Sequence, residues 1–202
     1  LSVAGVLYLN NSYRICFGML LIPAIFALGT LATARQLYPQ PHNLEKVSPE
    51  LETKGFPKKF WLYITAIALV AAGYADFPLI AYHFKKVSIV SDTWIPLFYA
   101  ITMGVDALAA LFFGYLYDRK GISILIITTL VAIPFAPLVF LGGFYTALTG
   151  MILWGVGMGA QESIMRAAIA EMVPANRRGT GYGIFNMGYG ICWFLGSAIM
   201  GV

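Results

Sequence analysis

Charged side chains are scarce in this sequence. Asp, Glu, Lys and Arg make up 11% of its 202 residues, whereas a soluble domain averages about 25%. Hydrophobic residues reach 59%, and the mean hydropathy is +0.77. This composition excludes an ordinary soluble domain. Because each membrane-spanning helix needs about 20 apolar residues, the composition predicts an integral membrane protein with several spans.

Cysteine and histidine are almost absent, with two residues of each. Cys16 and Cys192 both lie in apolar runs, where a cysteine is typically a packing residue rather than half of a disulfide or a metal ligand. The sequence has no His-Glu-x-x-His motif, no Gly-x-Ser-x-Gly motif and no Cys/His cluster. We therefore expect no metal, no cofactor and no enzymatic activity.

Six apolar runs are long enough to cross a bilayer as helices. They cover residues 13–33, 60–84, 94–117, 122–141, 144–172 and 180–202. Residues 1–9 are expected to be the tail of a preceding transmembrane helix, so the chain is expected to be a fragment of a longer protein. Residues 36–59 are rich in Pro, Glu, Lys, Ser and Asn, and this segment is too polar to enter lipid. It is therefore expected to be a linker.

The basic residues lie mainly in alternate loops. Nine of the 13 Lys and Arg residues fall at Arg35, in the linker, in the turn at residues 118–121 and in the loop at residues 174–179. The opposite loops hold only Arg14 and the pair at residues 85–86. By the positive-inside rule, the first group is expected to be cytoplasmic. No soluble face collects the basic residues, so no nucleic-acid partner is expected.

A compact charged turn joins the third and fourth apolar runs. Residues 114–121 follow the pattern Gly-x-Leu-x-Asp-Arg-x-Gly. This pattern resembles the signature loop of the major facilitator superfamily of secondary transporters, which joins the second and third helices of each three-helix repeat. Residues 166–183, with a proline and basic residues before a glycine-rich helix, resemble the connection between the fourth and fifth helices of one half of that fold.

The resemblance implies an all-α, polytopic helical membrane bundle in which the six runs are the sixth to eleventh helices. Residues 10–35 would then be a supporting transmembrane helix, and residues 36–59 the cytoplasmic linker between two halves. Residues 60–202 would form a C-terminal half that lacks its last helix. The resemblance also implies a cell-membrane location, in the plasma or inner membrane.

In that family the charged turn acts as a cytoplasmic gate, and its charged contacts break when the cytoplasmic side opens. The matching residues here are Gly114, Asp118, Arg119 and Gly121. An ordinary positive-inside turn is the alternative interpretation.

Asp106 lies within an apolar run, twelve residues from both Trp94 and Asp118 and hence near the bilayer midplane. A carboxylate there costs about 2.5 to 3.5 kcal/mol on insertion scales. Tyr99 and Thr102 precede it on the same helical face and are candidate cavity residues. Asp106 is therefore a candidate proton or cation site or a solute contact. A structural carboxylate bonded to a neighbouring helix is the alternative.

A second carboxylate, Asp76, lies in the run at residues 60–84 and is followed by Pro78. The proline predicts a kink in the helix. Transporters commonly build ion or solute sites beside a discontinuous helix. Asp76 is therefore a second candidate for transport or coupling.

The fifth run carries Glu162 and Arg166, four residues apart in the order that favours an intrahelical ion pair. They are candidates for transport or coupling, and a structural pair near the cytoplasmic mouth is the alternative. Gln161 is expected to face the same cavity. The glycines between residues 155 and 159 predict close helix packing, because no strand precedes them as a dinucleotide-binding loop would require.

The last run has one polar and aromatic face. Tyr182, Asn186, Tyr189 and Trp193 recur at intervals of four, three and four residues, which places them on one side of a helix. This face suits the wall of a cavity for an amphipathic ligand. Ordinary helix packing is the alternative.

These observations predict a transporter of the major facilitator type, which moves a small solute by alternating access and couples it to protons through intramembrane carboxylates. A non-transporting membrane sensor or assembly protein with the same fold is the alternative. The expected partners are the lipid bilayer, a small-molecule solute, and either the missing N-terminal half of the same polypeptide or a second copy of the chain.

Overall fold

The computed structural model describes residues 13–37, 39 and 55–201, with side chains from residue 18 onward. Every regular element in these ranges is helical, which confirms the predicted all-α fold. The expected helix tail at residues 1–9 and most of the expected linker lie outside the described ranges. The chain divides into two units, Leu1–Pro49 and Glu50–Val202.

The first unit contains helix α1, from Tyr13 to Leu37. The helix continues through Pro23 and has Arg35 in its last turn. All side chains described in α1 are exposed within its unit, although most of them are apolar. An apolar helix with no packed face belongs against lipid or another helix, so α1 is suited to lie within a membrane.

The second unit contains seven α-helices. They are α2 (Lys58–Ala72), α3 (Phe77–Val87), α4 (Trp94–Lys120), α5 (Ser123–Ala132), α6 (Phe135–Phe140), α7 (Phe144–Met172) and α8 (Arg178–Met200). A 3₁₀ turn, Ala175–Arg177, leads into α8. Five helical stretches of the described chain are long and apolar enough to cross a membrane: Gly18–Leu37, Lys58–Val87, Trp94–Lys120, Ser123–Phe140 and Ala175–Met200.

Helix α7 is the centre of the second unit. It has 29 residues, which corresponds to a length of about 43 Å, and it contacts α2, α4, α5, α6 and α8. It was predicted as the fifth of six spans, but it is not among the five stretches that are long and apolar enough to cross a membrane. The reason is that glycine and polar residues lower the mean hydropathy of α7. Its 14 buried residues pack against the neighbouring helices.

Two glycines let the backbones of α4 and α7 approach each other. A Cβ atom at Gly155 would lie 2.7 Å from the carbonyl oxygen of Thr102. A Cβ atom at Gly159 would collide with the carbonyl oxygen of Asp106 and the backbone nitrogen of Ala110. The α4–α7 contact is the most extensive between any two described helices. The prediction that these glycines serve helix packing is thus confirmed.

The second predicted span is broken in its middle, at residues 73–76, between α2 and α3. Two reciprocal hydrogen bonds tie this break to α7. The hydroxyl of Tyr74 donates to the carbonyl oxygen of Trp154 at 2.7 Å, and Nε1 of Trp154 donates to the carbonyl oxygen of Ala75 at 3.0 Å. Backbone groups freed by a break inside a membrane need such partners within the protein.

The position of the break differs from the predicted kink at Pro78. Helix α2 already ends at Ala72, and Pro78 lies in the first turn of α3, where its missing N–H removes no hydrogen bond. Residues 60–84 are therefore two helices within one span and not one bent helix. Proline here helps to start a helix rather than to bend one.

The fourth predicted span, residues 122–141, is also divided. Helix α5 ends at Ala132 and α6 begins at Phe135, with Pro134 as the residue before α6. Pro137 lies within α6, in its first turn. Because proline has no N–H to donate to the preceding turn, the chain forms two short helices that follow one another across a single candidate span.

The apolar interior forms two clusters, one along each half of α7. The cluster along the first half includes Tyr74, Phe84, Phe98, Phe135, Val139, Met151 and Trp154. The cluster along the second half includes Phe60, Ile67, Tyr117, Ile124, Ile164, Met165, Ile169 and Phe185. Helices α4 and α7 both contribute to the two clusters. Because α7 also contacts α2, α5, α6 and α8, its placement determines where most of the remaining helices pack.

We predict that Gly159→Ala lowers the melting temperature of the protein in detergent. The new methyl group would meet backbone atoms of α4 that cannot move without separating the helices, and overpacking of this kind costs about 1 to 3 kcal/mol. Gly104→Ala is the matched control, because a Cβ at Gly104 of α4 meets no atom within 4 Å. Equal melting temperatures for the two variants would contradict the close α4–α7 contact.

We also predict that Tyr74→Phe loosens the break between α2 and α3. Loss of one buried hydrogen bond costs about 0.5 to 1.5 kcal/mol, so hydrogen exchange should become faster at the amides of Leu79 and Ile80, which bond to the carbonyl oxygen of Asp76 in the break. Tyr82→Phe is the control, because Tyr82 is 62% exposed on α3. Unchanged exchange in Tyr74→Phe would show that the Tyr74–Trp154 bond does not hold the break.

Candidate functional site

Polar and aromatic side chains of α7 and α8 face each other across a cleft of about 100 Å³. Its lining consists of Met158, Gln161, Glu162, Met165, Arg166, Phe185, Asn186, Tyr189 and Trp193. The polar side chains predicted at residues 161–166 therefore meet three of the four residues predicted on one face of α8, namely Asn186, Tyr189 and Trp193. The fourth, Tyr182, does not line the cleft.

Hydrogen bonds and ring contacts fix the wall of the cleft formed by α8. The hydroxyl of Tyr189 donates to Oε1 of Gln161 at 3.3 Å, and the hydroxyl of Tyr182 donates to the carbonyl oxygen of Arg166 at 3.3 Å. The rings of Tyr189 and Trp193 meet edge to face, with centroids 5.2 Å apart. Bonds of this kind hold the aromatic rings in place and preorganise the wall.

Glu162 and Arg166 both line the cleft, and both side chains are exposed. They are four residues apart, but no N–O distance between them falls within 4 Å. The predicted intrahelical ion pair is therefore not formed. Each charge therefore remains available to the cleft.

Asp106 lies on α4, where α4 packs against α7. Its Oδ1 atom is buried and has no hydrogen-bond partner, and its carboxylate lies within electrostatic range of Glu162. An unpaired carboxylate oxygen inside a helical membrane bundle is unfavourable unless it serves a proton or a ligand. Within the described ranges, no three His, Cys, Asp or Glu residues are grouped so as to hold a metal ion.

Two predicted cavity residues on α4 lie away from the cleft. Thr102 is fully buried, and its hydroxyl bonds to the carbonyl oxygens of Phe98 at 2.8 Å and Met151 at 3.3 Å. It belongs to the α4–α7 contact. The ring of Tyr99 packs against that of Phe77 of α3, with centroids 4.2 Å apart and an angle of 35° between the ring planes. Helical spacing placed these residues on the face of Asp106, but it could not show which neighbouring helix covers each turn.

Asp76 is the last residue of the break and precedes α3. It is half-buried and does not line the cleft. No side-chain hydrogen bond from Asp76 caps α3, so the carboxylate is not used to stabilise the helix N-terminus. The structure thus places Asp76 beside a discontinuous helix, as predicted, but separates it from the residues that line the cleft.

The charged turn begins inside the last turns of α4. Gly121 has φ of +66°, a conformation that side-chain-bearing residues rarely adopt, and its N–H donates to the carbonyl oxygen of Tyr117 at 2.7 Å. Asp118 and Arg119 are exposed, and the guanidinium of Arg119 lies 4.4 Å from the centre of the Tyr115 ring. The backbone conformation therefore explains why residue 121 is a glycine. The gating role of the turn stays a prediction.

Gly114 faces α7, where a Cβ would lie 3.9 Å from Cβ of Ser163. That distance is an ordinary packing contact, so a larger residue would fit at Gly114, whereas none fits at Gly159. Its match to the family pattern remains the reason to associate it with the turn.

Three residues of the cleft were not predicted: Met158, Met165 and Phe185. Met158 and Met165 stand one turn on either side of Gln161 and Glu162, so helical spacing alone could have identified them. Phe185 adjoins Asn186, but it is 5% exposed and belongs mainly to the core. An apolar residue that both packs and lines a cleft has no distinguishing signal in the sequence.

Comparison with known proteins gives one family match. Residues 1–197 match the family model described as Major Facilitator Superfamily. The chain is 31% identical over 208 residues to uncharacterized proteins of Mycobacterium bovis and Mycobacterium tuberculosis. The alignment covers 100% of this chain and 51% of each relative, so the chain spans about half the length of the curated relatives it matches. No solved structure gives a significant match.

We predict that the cleft is accessible to water from one side of the membrane. In a background without Cys16 and Cys192, Asn186→Cys should react with a charged thiol reagent in proteoliposomes, since only a hydrated thiol forms the reactive thiolate. Ile191→Cys is the control, because Ile191 is 53% exposed on α8 and does not line the cleft. If Asn186→Cys reacts no faster than an unreactive Ile191→Cys, the cleft is closed to water.

Proposed function

Because this chain belongs to the major facilitator superfamily, we propose that it forms part of a secondary transporter that moves a small organic solute by alternating access. The observation that carries the proposal is the cleft between α7 and α8. It combines a carboxylate, a guanidinium, two amides and aromatic rings within a bundle of apolar helices. Polar groups placed in this way inside a membrane protein mark a path for a solute or an ion.

Asp106 is the proposed coupling residue. A proton on its carboxylate removes the charge from a site where one oxygen is buried without a partner. Its electrostatic interaction with Glu162 links that protonation to the occupancy of the cleft. Glu162 and Arg166 then contact the solute. Asp76, beside the break in the second span, is a second candidate for coupling.

The charged turn is the proposed cytoplasmic gate. Asp118 and Arg119 are exposed and so are available to contact helix ends outside this unit. The hydroxyl of Tyr117 lies close to Glu171 at the end of α7, which places the turn beside the helix that lines the cleft. On this proposal, the turn, the linker at residues 36–59 and the loop at residues 174–179 all lie in the cytoplasm.

A further set of helices is proposed to complete the solute path. Glu162, Arg166 and Asn186 line a cleft that is open on one side and remain exposed in the described unit. Charged groups at membrane depth need protein or water around them. The other wall would come from the N-terminal half of the same polypeptide or from a second copy of the chain.

The proposal predicts that Asp106→Asn abolishes solute-driven proton movement. The protein, together with the helices proposed to complete its solute path, is reconstituted in proteoliposomes that contain a pH-sensitive dye, and sugars, amino acids and organic cations are added in turn. The unaltered protein should acidify or alkalise the lumen with at least one solute, and Asp106→Asn should not, because the amide cannot exchange a proton. Asp76→Asn tests the second candidate in the same assay.

Asp92→Asn is the matched control, because Asp92 lies in an exposed loop, where it pairs with Lys85 at 3.6 Å. It should leave proton movement unchanged. If the unaltered protein inserts into the membrane but responds to no class of solute, the proposal fails and a sensor or assembly role takes its place. If Asp106→Asn retains full proton movement, the transport proposal stands but Asp106 is not the coupling residue.

A further inference from the structure

Two side chains of opposite charge line one wall of the cleft without forming an ion pair with each other. Glu162 and Arg166 are one helical turn apart on α7, both face the cleft, and they are not paired with each other. A carboxylate and a guanidinium within reach of each other would ordinarily form an ion pair. Because they are not paired, the wall offers two groups of opposite sign, one helical turn apart on the same helix.

The opposite wall is of a different chemistry. Helix α8 contributes the rings of Phe185, Tyr189 and Trp193 and the amide of Asn186, and it contributes no charge to the cleft. Aromatic rings bind apolar or aromatic groups over a large area and, at their faces, cations. A ligand between the two walls therefore meets two opposite charges on one side and an apolar, hydrogen-bonding surface on the other.

We propose that the cleft selects a zwitterionic solute, with an ammonium group and a carboxylate at one end and an apolar or aromatic body at the other. This inference rests on the transport function proposed above and names the class of solute for the same site. The ammonium group lies against Glu162, the carboxylate accepts two hydrogen bonds from Arg166, and the body lies against the rings of α8.

Charge balance separates a zwitterion from simpler ions. A pure cation would satisfy Glu162 but leave Arg166 without a partner once the bound ligand covers it, and a pure anion would do the reverse. A desolvated charge without a partner is strongly unfavourable.

The test uses matched probes that share a side chain and differ in whether the ammonium group or the carboxylate is kept. Phenylalanine, leucine and methionine are compared with their amides, which are cations, and with their N-acetyl derivatives, which are anions. Binding to the purified protein in detergent is measured by calorimetry, so that no transport is required. At least one of the three zwitterions should bind about tenfold more tightly than both of its derivatives, because a site built for two polar groups rejects a ligand that lacks one.

Two variants locate the selectivity. Glu162→Gln should remove the preference for the zwitterion over the anion, and Arg166→Gln should remove its preference over the cation. Glu171→Gln is the control, because Glu171 is an exposed carboxylate on the same helix that does not line the cleft. It should leave both preferences unchanged.

The inference is overturned if none of the zwitterions binds, if a derivative binds as tightly as its zwitterion, or if both variants keep the original preferences. Each of these results is obtained by binding alone. The transport proposal is judged separately by solute-driven proton movement, so a protein that moves protons with a sugar or an organic cation, but binds no zwitterion, would retain its function and lose this assignment.

Discussion

The close backbone contact between α4 and α7 determines the arrangement of the second unit. Gly155 and Gly159 allow the contact, and no larger residue fits there without separating the helices. Because α7 is held in this way, it can join both apolar clusters and present its remaining face to α8. The same contact places Asp106 at the edge of the helix pair, within range of Glu162. The electrostatics of the cleft thus depend on two residues that have no side chain.

Local patterns in the sequence predicted what depends on local physics. Hydropathy located the candidate spans, and the helical period placed Asn186, Tyr189 and Trp193 on one face, which the structure turns towards a cleft. The break at residues 73–76 could not be predicted in the same way. Its partner, Trp154, is 79 residues away from Ala75 in the chain, and no local rule indicates a hydrogen bond across that separation. The burial of Thr102 against α7 could not be predicted for the same reason, since the helix that covers it is distant in sequence.

Glu162 and Arg166 do not form an ion pair, which shows that a rule for isolated helices does not always hold inside a helical bundle. In an isolated helix, residues four apart with this order of charges attract each other by a few tenths of a kcal/mol. Here the aromatic wall of α8 stands opposite, and the tyrosines bond to Gln161 and to the backbone of Arg166 rather than to the charged groups. The hydrogen bonds of the wall therefore hold its shape and leave both charges free.

The cleft lies at the small contact, or seam, between two groups of helices that are each packed more extensively. Helices α4, α5 and α6 pack on α7, while α8 packs mainly on α2, and the direct contact between α7 and α8 is small. A seam of this kind can widen or narrow by a small sliding of one group against the other without disturbing the glycine contact. The aromatic side chains of α8 would then move together as one rigid group, while the charged side chains of α7 keep their positions.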